Sequence, residues 1–137
     1  ENGFMDNEEY KISFERAENY LKTGHFNQAI REFETVLEKY PDDPRCYNKL
    51  GVCYASLRNF VKAKSYLEKA SALDSEYPEP YNNLGNIYLE EKKYKKSIEL
   101  YKKALELNPD YAAAHSNLGL AYKRTKRIKE ETYCILI

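Results

Sequence analysis

Gly51, Gly85 and Gly119 recur at an interval of 34 residues, each one residue after a Leu and three before a Tyr. A fixed period of that length restricts the chain to a tandem array, because a short helical unit carries an apolar face that only its neighbour can cover. The register holds through whole units. Tyr47-Asn48-Lys49-Leu50-Gly51-Val52-Cys53-Tyr54 aligns with Tyr81-Asn82-Asn83-Leu84-Gly85-Asn86-Ile87-Tyr88 and with His115-Ser116-Asn117-Leu118-Gly119-Leu120-Ala121-Tyr122. Further along each unit Ala63 aligns with Ser97, Leu67 with Tyr101 and Ala70 with Ala104. A small residue beside Leu and Tyr on one helical face lets two helices approach closely while the large side chains fill the space around the contact.

This succession of aromatic, Leu-Gly, Tyr, Ala, aromatic, Ala and Pro resembles the tetratricopeptide repeat. The resemblance implies an all-α fold, a right-handed superhelical solenoid of antiparallel helix pairs. Projecting the period backward brings Tyr20, Ala29, Phe33 and Pro41 to matching positions. Units are therefore expected at 10–43, 44–77, 78–111 and 112–137, the last incomplete, behind an N-terminal extension over 1–9. Ser13, Arg16 and Ala17 stand where the next unit has Tyr, Leu and Gly, which fits an end repeat whose outer face meets water. All five prolines, Pro41, Pro44, Pro78, Pro80 and Pro109, fall at the joins between units. With Asp, Asn and Pro as boundary signals, helices are predicted over 8–23, 26–39, 44–57, 60–73, 78–91, 94–107, 112–125 and 128–136. Tyrosine is abundant, 14 residues, and the spacing of Tyr20, Tyr54, Tyr88 and Tyr122 reads as a core ladder.

Composition narrows the function classes. At 137 residues the chain is read as one domain. Lys plus Arg equals Asp plus Glu at 22 each, which argues against nucleic-acid binding by a general basic face. The balance hides a gradient, net −6 over 1–43, +2 over 44–89 and +4 over 90–137. No segment reaches the ~18 apolar residues of a membrane span and no signal-peptide pattern opens the chain, so a cytoplasmic location is expected. A chain that opens on Glu1 is expected to be processed or a piece of something longer. Cys46 and Cys53 lie seven residues apart on one predicted helix, a rise of about 10.5 Å, too far for a disulfide. Two histidines and three scattered cysteines give no metal-ligand spacing. The glycines sit inside helices, not in phosphate-binding turns, so neither a cofactor nor catalysis is expected.

In tetratricopeptide arrays the first helices of successive units line a concave surface that binds peptides. Carried over residue by residue, the resemblance implies a groove containing Asn48, Asn82, Asn83, Asn86, Asn117, Lys123 and Arg124. An amide offers donors and an acceptor, so a row of them can pair with the backbone of an extended peptide without reading its sequence. Asn83 and Asn117 share one repeat position, a short version of the asparagine ladder of the O-linked N-acetylglucosamine transferase and kinesin light chains. The family's two-carboxylate clamp for acidic chaperone tails needs Lys and Asn, then Asn, then Lys and Arg on three units. Here those positions read Phe14, Glu18, Lys49, Glu79 and Asn83, or Asn48, Val52, Asn83, Ala113 and Asn117, and neither frame supplies the cations.

The function expected is thus a protein-protein interaction scaffold that holds an extended segment of a protein or peptide partner, and not an enzyme. Two other readings stand beside it: a self-assembly module that forms a homo-oligomer through the incomplete C-terminal repeat, and the targeting arm of a larger enzyme. The terminal Cys134-Ile135-Leu136-Ile137 has the form of a C-a-a-X prenylation motif. The repeat register instead makes this the second helix of the fourth unit, with Ile128 and Ile135 matching Tyr94 and Tyr101.

Overall fold

Each first-to-second helix turn is built around one residue in the left-handed region, and these residues also keep the 34-residue period: Gly24 (φ 81°), Arg58 (φ 64°) and Lys92 (φ 63°). The turns close alike, with the amide of His25 donating to the Tyr20 carbonyl at 2.8 Å, Asn59 to Tyr54 at 2.9 Å and Lys93 to Tyr88 at 2.8 Å. That six-to-one bond satisfies carbonyls that a helix end otherwise leaves unpaired. The next helix is started locally. Asp43 caps the helix at Pro44 by accepting from the Arg45 amide at 2.9 Å, and Asn59 accepts from the Lys62 amide at 3.2 Å.

The structure, a computed structural model, describes the backbone of residues 3–136 and the side chains of 7–135. Among the described residues there are seven helices and no strand: α1 (Gly3–Lys22), α2 (Phe26–Lys39), α3 (Pro44–Ser56), α4 (Phe60–Leu73), α5 (Pro78–Glu90), α6 (Tyr94–Leu107) and α7 (Ala112–Leu136). They group into two compact units, Glu1–Ser75 and Glu76–Ile137. In the first, Phe14 and Ala17 of α1 pack with Ala29, Ile30, Phe33 and Val36 of α2 and with Cys46, Leu50 and Cys53 of α3, all buried. Gly51 explains the closeness of α3 and α4, since a methyl group there would lie 2.5 Å from Leu67 Cγ. In the second, a methyl group on Gly85 would lie 2.6 Å from Tyr101 Cε1, and Leu89, Tyr101 and Ala121 form the core with Leu118, Tyr94 and Ile98 against them.

The two ends of the chain depart from expectation. At the start, α1 begins at Gly3, inside the stretch expected to precede the first repeat. At the end, the fourth unit does not turn at 126–127; helices expected over 112–125 and 128–136 are one helix, α7. Glu131 occupies the position of Ala29, Ala63 and Ser97, all fully buried, and a carboxylate cannot be buried there without a partner. With no packing gain to offset a left-handed Lys126, the chain keeps its helical hydrogen bonds. In consequence a methyl group on Gly119 would meet nothing within 4 Å. Tyr122 is 46% exposed instead of completing the core ladder of half-buried Tyr20, Tyr54 and Tyr88. Cys134 is an exposed residue of α7, and Ile137 lies outside the described residues.

Candidate functional site

In the second unit the first helices α5 and α7 bring several of the expected groove residues together. Asn82 is 4% exposed and held from both sides: its Oδ1 accepts from Asn117 Nδ2 at 3.1 Å, and its own Nδ2 donates to the Tyr111 hydroxyl at 3.4 Å. A buried amide engaged in this way fixes the segments on either side of it. Asn117 is half-buried and its Oδ1 has no partner among the described residues. Asn86 is also half-buried; its Oδ1 accepts from the Tyr101 hydroxyl at 2.7 Å, while its Nδ2 has no partner among the described residues. Asn83, at the same repeat position as Asn117, is half-buried as well.

Toward the C-terminal end of the same face, seven residues after Asn117, Arg124 is half-buried, whereas the exposed Lys123 lies about 120° around α7 from Asn117. Arg124 shares a cleft of about 400 Å³ with Leu89 and Glu90 of α5, Tyr94 of α6, and Arg127, Ile128 and Glu131 of α7. Arg127 donates to Glu131 at 3.0 Å, so Arg124 is the guanidinium best placed for a newcomer. A planar donor fork beside the apolar Leu89 and Ile128 suits a peptide side chain or carboxylate at the cleft mouth. Burial pushes the Tyr101 phenol up to about 12, and the nearby Arg124 cation opposes that rise. Tyr101 therefore stays a neutral donor to Asn86 throughout the physiological range.

The first unit is different in character. Asn48 is 1% exposed, so it and Asn82 depart from the expectation that both line an open surface. For Asn82 the cause is plain, because α7 and the residue that leads into it cover the amide with Asn117 and Tyr111. Lys49 is paired with Glu18 of α1 at 3.3 Å, and the Arg45 guanidinium lies 4.4 Å from the centre of the Phe14 ring. Both cations are thus engaged within their own unit.

Reading the sequence alone misses Tyr111, Tyr101 and Ile128 as parts of the site. Tyr111 carries a usable signal, its 34-residue spacing from Tyr77 immediately before a first helix. Ile128 carries none, since it joins the cleft only because α7 fails to turn. Among the described residues no group of three or more His, Cys, Asp or Glu side chains could hold a metal ion. None of the helices among them is long and apolar enough to cross a membrane.

Comparison with known proteins agrees with this architecture. A tetratricopeptide repeat family model matches residues 14–78 and a TPR repeat model matches 85–126, and the chain belongs to the tetratricopeptide repeat family. Among curated proteins, a Protein CTR9 homolog of Arabidopsis thaliana is 41% identical over 54 residues, 39% of this chain and 5% of that protein. Among solved structures, an O-GlcNAc transferase mutant of Thermobaculum terrenum has a TM-score of 0.79 at 30% identity, covering 85% of this chain and 22% of that one. The first TPR of Spaghetti (RPAP3), bound to an HSP90 peptide, has a TM-score of 0.76 at 23% identity, covering 85% of this chain and 93% of that one. These likenesses place the chain in the all-α helical-solenoid class.

Proposed function

We propose that this chain is a protein-interaction scaffold that holds an extended segment of a partner protein against its first helices. The observation that carries the reading is the Asn117–Asn82–Tyr111 chain of hydrogen bonds, which rigidifies the α5–α7 face and leaves the Asn117 carbonyl and the Asn86 amide hydrogens for a ligand. One acceptor and one pair of donors are what a β-extended peptide backbone needs from a sequence-tolerant surface. In this scheme Asn83, Asn86 and Asn117 meet the backbone, Arg124 meets an acidic side chain or terminus, Asn82 braces the amides, and Asn48 is a buried amide of the first unit.

The RPAP3 domain is a fold relative with an HSP90 peptide bound, so peptide capture is chemistry that this architecture supports. The two-carboxylate clamp for such tails does not carry over, because its Lys, Lys and Arg positions read Phe14, Glu79 and Asn83 in one frame and Asn48, Ala113 and Asn117 in the other. Since the chain spans 22% of the transferase and 5% of the CTR9 homolog, service as the binding arm of a larger protein is the second reading. A displayed library of extended peptides separates the possibilities. Peptides selected by the wild-type chain should lose tenfold or more in affinity with Asn117→Ala and with Arg124→Ala; unchanged affinity in both variants, or tight capture of an acidic C-terminal tail that survives them, would sink the scheme.

A further inference from the structure

The open side of α7 is a surface that the repeat period reserves for a helix and that no helix among the described residues fills. Gly119 has empty space beside it, and from there Tyr122, Lys126, Lys129 and Tyr133 continue along one face at helical spacing. These four border a shallow cleft of about 680 Å³ that Glu130 also lines. Tyr122 and Tyr133 are 46% and 67% exposed, an aromatic area that water covers poorly. The pairing of Lys126 with Glu130, at 3.9 Å, is long and exposed, so it is readily exchanged for another carboxylate.

A complementary stripe exists on the opposite end of the sequence. Glu8, Ile12, Glu15 and Asn19 of α1 are all exposed, with Ile12 at 55%, and their spacing places them on one helix face. Lys11 and Lys22 flank this stripe. Both stripes run i, i+4, i+7, i+11, so each covers about 16.5 Å of helix. Their charges are opposed: two lysines between two tyrosines on α7, two carboxylates around an exposed Ile on α1. The same opposition holds on a wider scale, where 1–43 is net −6 and 90–137 net +4.

We propose that the open face of α7 docks α1 of a second copy of this chain, joining copies head to tail. The contact covers Tyr122 and Tyr133 with the aliphatic side of the α1 stripe and sets Lys126 and Lys129 against Glu8 and Glu15. Because the two surfaces differ, the contact is heterologous, and every added copy presents a fresh α7 face. Association therefore grows with concentration and, being built on exposed charges, weakens with salt. This surface is separate from the amide face proposed for peptide capture.

Light scattering on residues 1–137 across a hundredfold concentration range tests the idea. The expected result is a mass that climbs above 16.1 kDa with concentration and falls back in high salt. Lys126→Glu with Lys129→Glu should raise the concentration for half-association at least tenfold, and so should Glu8→Lys with Glu15→Lys. An equimolar mixture of these two variants restores opposite charges across the contact between a reversed α7 and a reversed α1, and should regain association. A monomer at all concentrations overturns the proposal. So does association that ignores the α1 reversal, which would mean α7 pairing with α7, or a variant mixture that stays monomeric while each variant keeps its helical circular dichroism.

Discussion

A methyl group on Gly51 would lie 2.5 Å from Leu67 Cγ, whereas on Gly119 it would meet nothing within 4 Å, although both glycines follow a Leu and precede a Tyr by three residues. The motif is identical and the surroundings are not. What differs lies downstream: the turn position is cationic in each case, Arg58, Lys92 and Lys126, but five residues further on the fully buried Ala63 and Ser97 are matched after Gly119 by Glu131. A repeat motif thus specifies a capacity for close packing. The partner helix decides whether that capacity is used.

The largest test of this contrast compares one repeat position in two settings. Leu67→Ala should cost about 2–5 kcal/mol in urea unfolding, because its side chain is fully buried. Ile135→Ala, at the same repeat position two periods further along but 83% exposed, should stay within about 0.5 kcal/mol. Equal losses would mean that the end of α7 is packed in solution. Next in size, Gly51→Ala should destabilise by about 1–3 kcal/mol through the clash with Leu67, while Gly119→Ala should stabilise by about 0.5–1 kcal/mol by favouring an open helix. Opposite signs at equivalent glycines are the readout, taken from thermal melts.

Smaller effects probe the turn. Arg58→Gly should relieve a left-handed residue and gain up to about 1 kcal/mol, and Lys126→Gly should lose about 1 kcal/mol from a continuous helix. A gain in both would place a turn at 126 and refute the single helix. The smallest effect is a titration. Burial raises the Cys53 thiol from its ordinary 9.0 to about 12, with Lys49 opposing, so the native state keeps a proton that the unfolded chain gives up. Its stabilisation is full below about pH 9 and declines as pH rises toward about 12. Urea midpoints should accordingly fall less steeply with alkaline pH in Cys53→Ala than in wild type.

The amide face shows where reading by period reaches its end. Asn82, Asn83, Asn86 and Asn117 could be placed on first helices from their distance to the glycines, since helical spacing sets the face a residue shares. Which of them is buried depended on a neighbour far along the chain: Tyr111 and Asn117 enclose Asn82, and Tyr101 claims one side of Asn86. The cleft around Arg124 was hidden for the same reason, as Ile128 and Arg127 reach it only on an unbroken α7.

Local pattern in the chain was enough for the all-α class, the 34-residue units, the bounds of α2 to α6 to within a residue and the small-residue contacts at Gly51 and Gly85. Helix period, proline positions and small-beside-large patterning are local and they repeat. Packing in three dimensions settled the fate of the last repeat and the exposure of each amide. Those outcomes turn on whether a second surface is present to bury a side chain, and burial is a property of pairs of elements that no single position encodes.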